Sequence, residues 1–324
     1  MKANVDRIIA SLILVTCLAS SIGVFVKKGA SEKRDASDIS FSWDNGISSK
    51  TDIAIIDLYG PIMYGSSSGF GGNSNIDANQ IISTLEKIDK DKVKAVFLRL
   101  NTPGGTASAS QAIYEKIQSI KKKSGTKFYS FMQDVAASGG YYIASACDKI
   151  YANPSTMTGS IGVIMQIPNY TDLSNKIGIQ TTTIKSGKFK DIGNGARKMM
   201  PEEQELLQAL INDTYNEFSM AVSKGRKMPI EKVRELGDGR IYTGNQAFKN
   251  GLVDKLSQEW EAIDDLKKDL KITGKAKVKN YTKSPFEKIL GEIGAKSGMP
   301  NIDTLLNSTD FAPKLQKIPL MLYR

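Results

Sequence analysis

Strands alternate with helices along the middle of the chain, and this alternation limits the possible folds more than any other sequence feature. Apolar runs predict strands at 53–58 and 94–100, and apolar residues at helical spacing predict helices over 77–88 and 106–122. A helix between two strands carries the chain back so that the second strand can run parallel to the first. The sequence therefore predicts an α/β fold with a mainly parallel sheet.

The alternation continues through the next hundred residues. It predicts further strands at 127–133, 149–152, 161–166 and 180–184, and helices over 138–147 and 201–223. We found no repeat of the kind that builds solenoids.

An uncharged run of 19 residues, Ile8 to Val26, lies between basic residues near the N-terminus. About 20 apolar residues cross a bilayer as a helix, so the run predicts a single N-terminal transmembrane helix. The alternative is a cleaved secretory signal, with Ala19 and Ser21 as small residues at the cut site. Both interpretations export the remaining chain, and we expect a cell-membrane protein with one span and an extracytoplasmic domain.

Composition divides the chain into four predicted segments, namely an anchor (1–28), a polar linker (29–52), a folded domain (53–270) and a flexible basic tail (271–324). The last fifty residues carry nine Lys or Arg against four Asp or Glu. Such an excess favours attraction to an anionic membrane surface. No motif for reading bases accompanies it, so no nucleic-acid partner is expected.

The absence of histidine restricts the possible chemistry. It excludes Ser-His-Asp and Cys-His catalysts and every histidine-liganded metal site. The two cysteines, Cys17 and Cys147, are too few to form a zinc or iron–sulfur site alone. No metal and no cofactor are predicted, and a serine nucleophile would need a different base, of which lysine is the obvious one.

Ser138 stands in the sequence DVAASGGYY (134–142), between small residues and at a predicted helix start. An open serine near helix N-terminal amides suits a nucleophile whose reaction forms an oxyanion. The alternative is that Ser138 is an ordinary N-cap that satisfies the first helical amides. Local sequence favours the N-cap.

Two glycine turns offer backbone amides at the ends of strands, NTPGG (101–105) and GSIG (159–162). Glycine lets the backbone approach a ligand closely, so either turn could donate hydrogen bonds to an oxyanion or a phosphate. Turns of this kind are also common connections without any function. No P-loop lysine comes after them.

Three lysines are candidates for the base: Lys185, Lys188 and Lys190, in IKSGKFKD. A solvated lysine is only about 0.04% uncharged at pH 7, and burial among apolar groups would raise that fraction. The alternative is a solvated basic hairpin. The residues alone do not choose among the three lysines.

Five stretches, taken in order, carry a resemblance to a known family. They are LRLNTPGG (98–105), DVAASGGYYIA (134–144), TGSIGV (158–163), KSGKFKD (185–191) and GDGRIYTGNQAFKNGLVD (237–254). The chain resembles signal peptide peptidases of the short bacterial type, Ser/Lys-dyad serine proteases related to the crotonase and Clp-protease folds. The resemblance covers roughly residues 1–270 and implies repeated β-β-α units.

The resemblance implies a role for five residues. Ser138 would be the nucleophile and Lys190 the general base, which would settle the choice among the lysines. The amides of Gly105 and Gly139 would form the oxyanion hole, and Ser160 would orient the base. Thr102 replaces an expected serine, and IGNGA at 192–196 lacks an expected Ser-Pro, which leaves the rim of the site undefined.

The resemblance further implies a membrane-anchored endopeptidase that degrades remnant signal peptides and other hydrophobic peptides. It implies a homo-octamer whose active sites are shared between neighbours, and some members trim or bind their own C-terminal tails. Two other functions are kept open: a crotonase-type acyl-CoA enzyme, and a catalytically silent scaffold that assembles rings at the membrane.

Overall fold

A computed structural model of the chain describes residues 51–65 and 75–282, all of them within one unit that spans 42–324. The predicted anchor, nearly all of the linker and the tail beyond residue 282 lie outside the described residues. Among the described residues, no helix is both long enough and apolar enough to cross a membrane.

The strands of the described residues are β1 (Ile53–Tyr59), β2 (Ile62–Met63), β3 (Ile76–Asp77), β4 (Ala95–Thr102), β5 (Lys127–Ala137), β6 (Lys149–Ala152), β7 (Met157–Gly159), β8 (Ile241–Thr243), β9 (Lys255–Leu256) and β10 (Val278–Asn280). The main sheet has the order β10-β1-β4-β5-β6-β9, and all of these neighbours run parallel. The end of β5 pairs with β7, which also pairs antiparallel with β8. The predicted mainly parallel sheet is confirmed.

The helices of the described residues are α1 (Ala78–Asp91), α2 (Ala107–Ser124), α3 (Gly139–Ala144), α4 (Thr171–Lys176), α5 (Pro201–Arg226), α6 (Ile230–Leu236), α7 (Gly244–Lys249) and α8 (Glu259–Asp269). One face of the sheet packs with α1, α2, α3 and α5 into the larger core. The other face packs with α8 into a smaller one.

The central strands consist largely of consecutive apolar residues, and β4 shows the reason. Val96 and Leu98 contribute to the larger core, while Phe97, between them, contributes to the core under α8. All three side chains are buried because successive residues of a strand point to opposite faces and both faces are covered.

Helix α1 forms for the reasons that its sequence indicates. Asp77 caps it by accepting a hydrogen bond from the Asn79 amide at 3.0 Å. Ile81, Leu85 and Ile88, at helical spacing, are buried against the sheet. The predicted helix over 77–88 is confirmed.

Two predicted strands are wrong. Residues 161–166 and 180–184 form no strand, and we refer to residues 162–200 as the arm. Its only helix, α4, has no buried residue. Ile164 is 81% exposed and Ile184 is 96% exposed. The apolar patterns of 161–166 and 180–184 resemble those of strands, but within the described part of the chain neither stretch pairs with a strand.

Two predicted boundaries also differ from the structure. The predicted helix over 138–147 is the shorter α3, whose first residue is Gly139. Strand β10 pairs with β1 beyond residue 270, where the sequence analysis placed the start of the tail. Its three residues include two polar ones, which is too weak an apolar signal to indicate a strand.

Candidate active site

Ser138 occupies a sharp turn between β5 and α3. Its backbone has φ +53° and ψ −120°, a conformation that a residue with a side chain adopts only when the surrounding structure holds it there. Its side chain makes no capping hydrogen bond to α3, so the N-cap interpretation is wrong. Ser138 is partly exposed on this sharp strand-to-helix turn, the backbone arrangement that nucleophile elbows also use.

The turn at Ser138 is fixed from both sides. The Ser138 amide donates to the Gly159 carbonyl at 2.9 Å, and the Ser138 carbonyl accepts from the Tyr142 amide at 2.9 Å. Helix α3 is itself anchored, because the Tyr142 ring stacks on Phe218 of α5 with the ring centroids 4.7 Å apart. The strained conformation is therefore held by contacts to two other parts of the fold, β7 and α5.

The glycine turn after β4 packs against Ser138. Gly104 has φ +100°, and its amide donates to Thr102 Oγ1 at 3.0 Å. The next residue, Gly105, lies beside Ile62 of β2, where a β-carbon on Gly105 would be 1.8 Å from the Ile62 carbonyl oxygen. Glycine at both positions lets three backbone segments meet next to Ser138.

Two backbone amides converge next to the Ser138 turn. A β-carbon placed on Gly139 would lie 3.2 Å from the Gly105 nitrogen. Within the described part of the chain, neither the Gly105 nor the Gly139 amide donates a hydrogen bond. Uncommitted amides next to a serine turn can stabilise the negative charge that forms when a serine hydroxyl attacks a carbonyl.

Ser160 lies close to Ser138 through the backbone. It directly succeeds Gly159, which accepts the hydrogen bond from the Ser138 amide. Ser160 also has a positive φ, +49°, and its amide donates to the Arg240 carbonyl at 2.8 Å. The structure thus brings four of the five predicted site residues together: Ser138, Gly105, Gly139 and Ser160.

The three candidate lysines differ in their contacts. Lys185 Nζ contacts the Asp191 carboxylate at 2.6 Å, and Lys188 Nζ contacts Glu202 at 3.1 Å. Lys190 is exposed, and its amine has no hydrogen bond or ion pair among the described residues. No contact within this part of the chain joins Lys190 to Ser138 or to Ser160.

An ion network holds the segment that carries these lysines. Arg197 contacts Asp191 at 2.8 Å and Glu203, at the start of α5, at 2.5 Å. These contacts lower the pKa of Asp191 well below its usual range, chiefly through the Arg197 hydrogen bonds, and lower the pKa of Glu203 to about 2 for the same reason. The network ties the C-terminal end of the arm to α5.

Some residues that shape the site were not singled out by the sequence analysis. Ile62 carries no chemical signal, although its amide donates to the Gly104 carbonyl at 2.9 Å and its carbonyl accepts from Thr106 at 2.8 Å. Gly104 was part of the NTPGG turn considered in the sequence, but only its packing in the structure shows that this position requires glycine, as Gly105 does. Within the described residues, no group of three or more Cys, Asp or Glu side chains could hold a metal ion.

Comparison with protein families gives two overlapping matches. The model of peptidase family S49 matches residues 120–273. The Clp protease model matches residues 70–158. The two matched ranges together contain Ser138, the glycine turns and the lysine segment.

Three relatives show the extent of the similarity. The chain is 40% identical over 220 residues to "Putative protease slr0021" of Synechocystis sp., which covers 68% of this chain and 75% of that one. It is 42% identical over 209 residues to "Putative signal peptide peptidase SppA" of Enterococcus faecium, with 62% and 60% covered. It is 34% identical over 213 residues to "Protease 4" of Haemophilus influenzae, with 65% of this chain but 34% of that protein covered.

Proposed function

This chain belongs to peptidase family S49 and is a serine peptidase, and we propose that Ser138 is its nucleophile and Lys190 its general base. The observation that carries the proposal is the strained turn at Ser138, next to which the two uncommitted amides of Gly105 and Gly139 converge. Nucleophile and oxyanion donors are thereby provided by adjoining backbone segments.

The proposed reaction is acyl transfer followed by hydrolysis. The uncharged amine of Lys190 takes the proton of Ser138 Oγ as that oxygen attacks a peptide carbonyl carbon. The Gly105 and Gly139 amides donate to the oxyanion of the tetrahedral intermediate. The lysine then gives its proton to the leaving amine, and the C–N bond breaks. Water, activated by the same lysine, hydrolyses the ester on Ser138 and releases the acid.

The contacts of the lysines support Lys190 as the base. The amines of two of the lysines are held in ion pairs, Lys185 with Asp191 and Lys188 with Glu202. Lys190 has no such partner among the described residues. Ser160, which adjoins the Ser138 turn, would accept or donate a hydrogen bond that orients the lysine.

We propose that the lysine reaches a serine of a neighbouring copy. The arm carries Lys190 and exposes large apolar residues, among them Ile164, Leu173 and Ile184. Exposed apolar surface of this extent is typical of an interface rather than of an isolated chain. A closed homo-octamer, in which each site combines Ser138 of one copy with Lys190 of the next, would bury the arm and exclude water from the base.

The proposed substrates are hydrophobic peptides, in particular signal peptides that remain in the membrane after preprotein cleavage. One relative is named a signal peptide peptidase. The uncharged run at 8–26 would anchor the chain in the cell membrane, with the peptidase domain outside the cytoplasm. The basic tail would lie against anionic lipid or enter the site as a substrate or inhibitor. The chain spans 60% of the signal peptide peptidase relative and about a third of the Protease 4 relative.

The test is covalent labelling of the full-length protein with a fluorophosphonate, and then mass spectrometry of the modified peptide. We expect the label on Ser138, and we expect hydrolysis of a fluorogenic hydrophobic peptide to fall by at least about a thousandfold in Ser138→Ala and Lys190→Ala. The matched control is Lys188→Ala, which removes a neighbouring lysine and should stay within about threefold of wild type. A label on another residue, or full activity of Lys190→Ala, would refute the assignment.

A further inference from the structure

Strand β5 contains two more residues than the stretch of β4 that it faces. Leu100 pairs with Met132 and Thr102 pairs with Ala136, so two steps along β4 correspond to four along β5. Such a bulge bends a strand and redirects its remaining residues. Beyond the bulge β5 leaves β6 and pairs with β7, and Ser138 comes directly after this redirected end.

Asn101 is the β4 residue that faces the bulge, and its side-chain amide makes two hydrogen bonds to residues of the bulge. Asn101 Oδ1 accepts from the Val135 amide at 3.3 Å, and Nδ2 donates to Asp134 Oδ2 at 3.1 Å. The Asn101 carbonyl accepts from the Gly60 amide at 3.0 Å. A single side chain thus joins β4 to β5 where the regular ladder of hydrogen bonds is interrupted.

Thr156 holds the same bulge from the opposite side. Its hydroxyl lies 3.0 Å from the Met132 carbonyl oxygen and 2.5 Å from that of Gln133, and the residue is 1% exposed. Because Asn101 contacts the bulge on one side and Thr156 on the other, the bulge has one defined shape, and β5 pairs with β4 in a single register.

The shape of the bulge determines how the two halves of the site meet. Gly105, which offers one amide, comes four positions after Asn101, and Ser138 comes three positions after Val135. The register of β4 against β5 therefore sets the distance between that amide and the serine. A shift of about 1 Å in reacting groups can cost about a hundredfold in rate.

We propose that Asn101 is a positioning residue for the reaction of Ser138, acting through the bulge in β5 and its contacts with Asp134 and Val135. This inference rests on the proposed function. Asn101 touches no reacting atom in this arrangement. It fixes the distance between the oxyanion amide at the end of β4 and the nucleophile at the end of β5.

The experiment reverses the polarity of the Asn101–Asp134 contact. Asn101→Asp keeps the acceptor for the Val135 amide but places a second carboxylate against Asp134. Adding Asp134→Asn supplies a donor again, now from the β5 side. We expect Asn101→Asp to lower kcat for a fluorogenic peptide, and the rate of fluorophosphonate labelling, by about tenfold or more with KM within about threefold.

The double variant should recover to within about threefold of wild type, and Asp134→Asn alone should remain near wild type because Asn101 can still donate to the new amide oxygen. Wild-type rates in Asn101→Asp would overturn the inference. So would a loss that the second substitution does not restore, or one that merely tracks the folded fraction measured by circular dichroism. If the wild-type protein were not labelled at Ser138, the proposed function would fail first and the inference with it.

Discussion

Gly104 lies directly against Ser138. A β-carbon on Gly104 would be 2.8 Å from the Ser138 β-carbon and 2.7 Å from the Gly139 nitrogen. The same residue has φ +100°, which residues other than glycine rarely adopt. The turn after β4 and the turn after β5 therefore fit together only because one of them carries no side chain at this point.

Replacing Gly104 by alanine should separate the two turns. We expect Gly104→Ala to slow fluorophosphonate labelling of Ser138 by at least about tenfold and to lower the free energy of unfolding by about 1–3 kcal/mol. The measurements are the labelling rate and urea unfolding. The matched control is Gly125→Ala, which also has a positive φ, +68°, but has open space where the methyl group would go.

That control separates backbone strain from displacement of the site. Gly125→Ala should lose about 1 kcal/mol of stability and keep the wild-type labelling rate. Equal labelling rates in Gly104→Ala and wild type would contradict the close packing of Gly104 against Ser138.

Sharing of active sites between copies can be tested by mixing inactive variants. Ser138→Ala and Lys190→Ala subunits, co-expressed with different affinity tags and purified through both, should regain activity. With random assembly at equal amounts, about a quarter of the sites would combine an intact serine with an intact lysine, giving about 25% of wild-type activity. Peptide hydrolysis is the readout. A mixed assembly without activity would place both residues of each site within one chain.

The arm should be needed for assembly. Ile184 is 96% exposed in the single chain, and a charge there would be costly if the arm packs against another copy. We expect Ile184→Asp to reduce the mass seen by sedimentation while the far-ultraviolet circular dichroism stays unchanged. Trp260→Asp, on α8 and 60% exposed, is the control and should keep the assembly intact. An unchanged mass for Ile184→Asp would argue against an interface at the arm.

Acid should release the arm from α5. The Arg197 hydrogen bonds hold the pKa of Glu203 at about 2, against about 4.3 for a free glutamate. A carboxylate with a lowered pKa in the folded state stabilises that state above the unfolded pKa, and the stabilisation is lost as the pH falls through the folded value. The difference in unfolding free energy between wild type and Glu203→Gln should have its largest value above about pH 5 and should decrease as the pH falls towards 2.

The control for this pH dependence is Glu205→Gln, on the same helix. Glu205 is exposed and has no ion pair among the described residues. Urea unfolding at several pH values should give a nearly constant difference between this variant and wild type. If the difference for Glu203→Gln were equally constant, the ion network would not depend on the charge of Glu203.

Most of the central fold could be predicted from the chain because its signals are local. Strand β4 reads as an apolar run because both of its faces are covered, and α1 carries its cap and its apolar face within a few residues. The predicted strands at 161–166 and 180–184 are wrong because pairing between strands depends on distant parts of the chain. An apolar stretch indicates a segment that favours burial, but it does not show whether any strand of this chain lies beside it, and Ile164 and Ile184 are in fact exposed.

At the site, the identity of the base could not be predicted from the residues around the three lysines alone. Lys185, Lys188 and Lys190 are chemically equivalent in the sequence. The side chains that distinguish them are partly distant, since Glu202 contacts Lys188 from the start of α5. The structure separates the two paired amines from the third, while the pairing of Lys190 with Ser138 remains a prediction.

By itself, the sequence determined which groups are available for chemistry: no histidine, a serine between small residues, glycine turns at strand ends and a group of lysines. Only the tertiary structure decided that the Ser138 hydroxyl does not cap α3 and that the Gly105 and Gly139 amides converge. The physical reason is that these properties depend on the register of β4 against β5. That register is set by a bulge and by the side chains of Asn101 and Thr156, which contact it from segments outside β5.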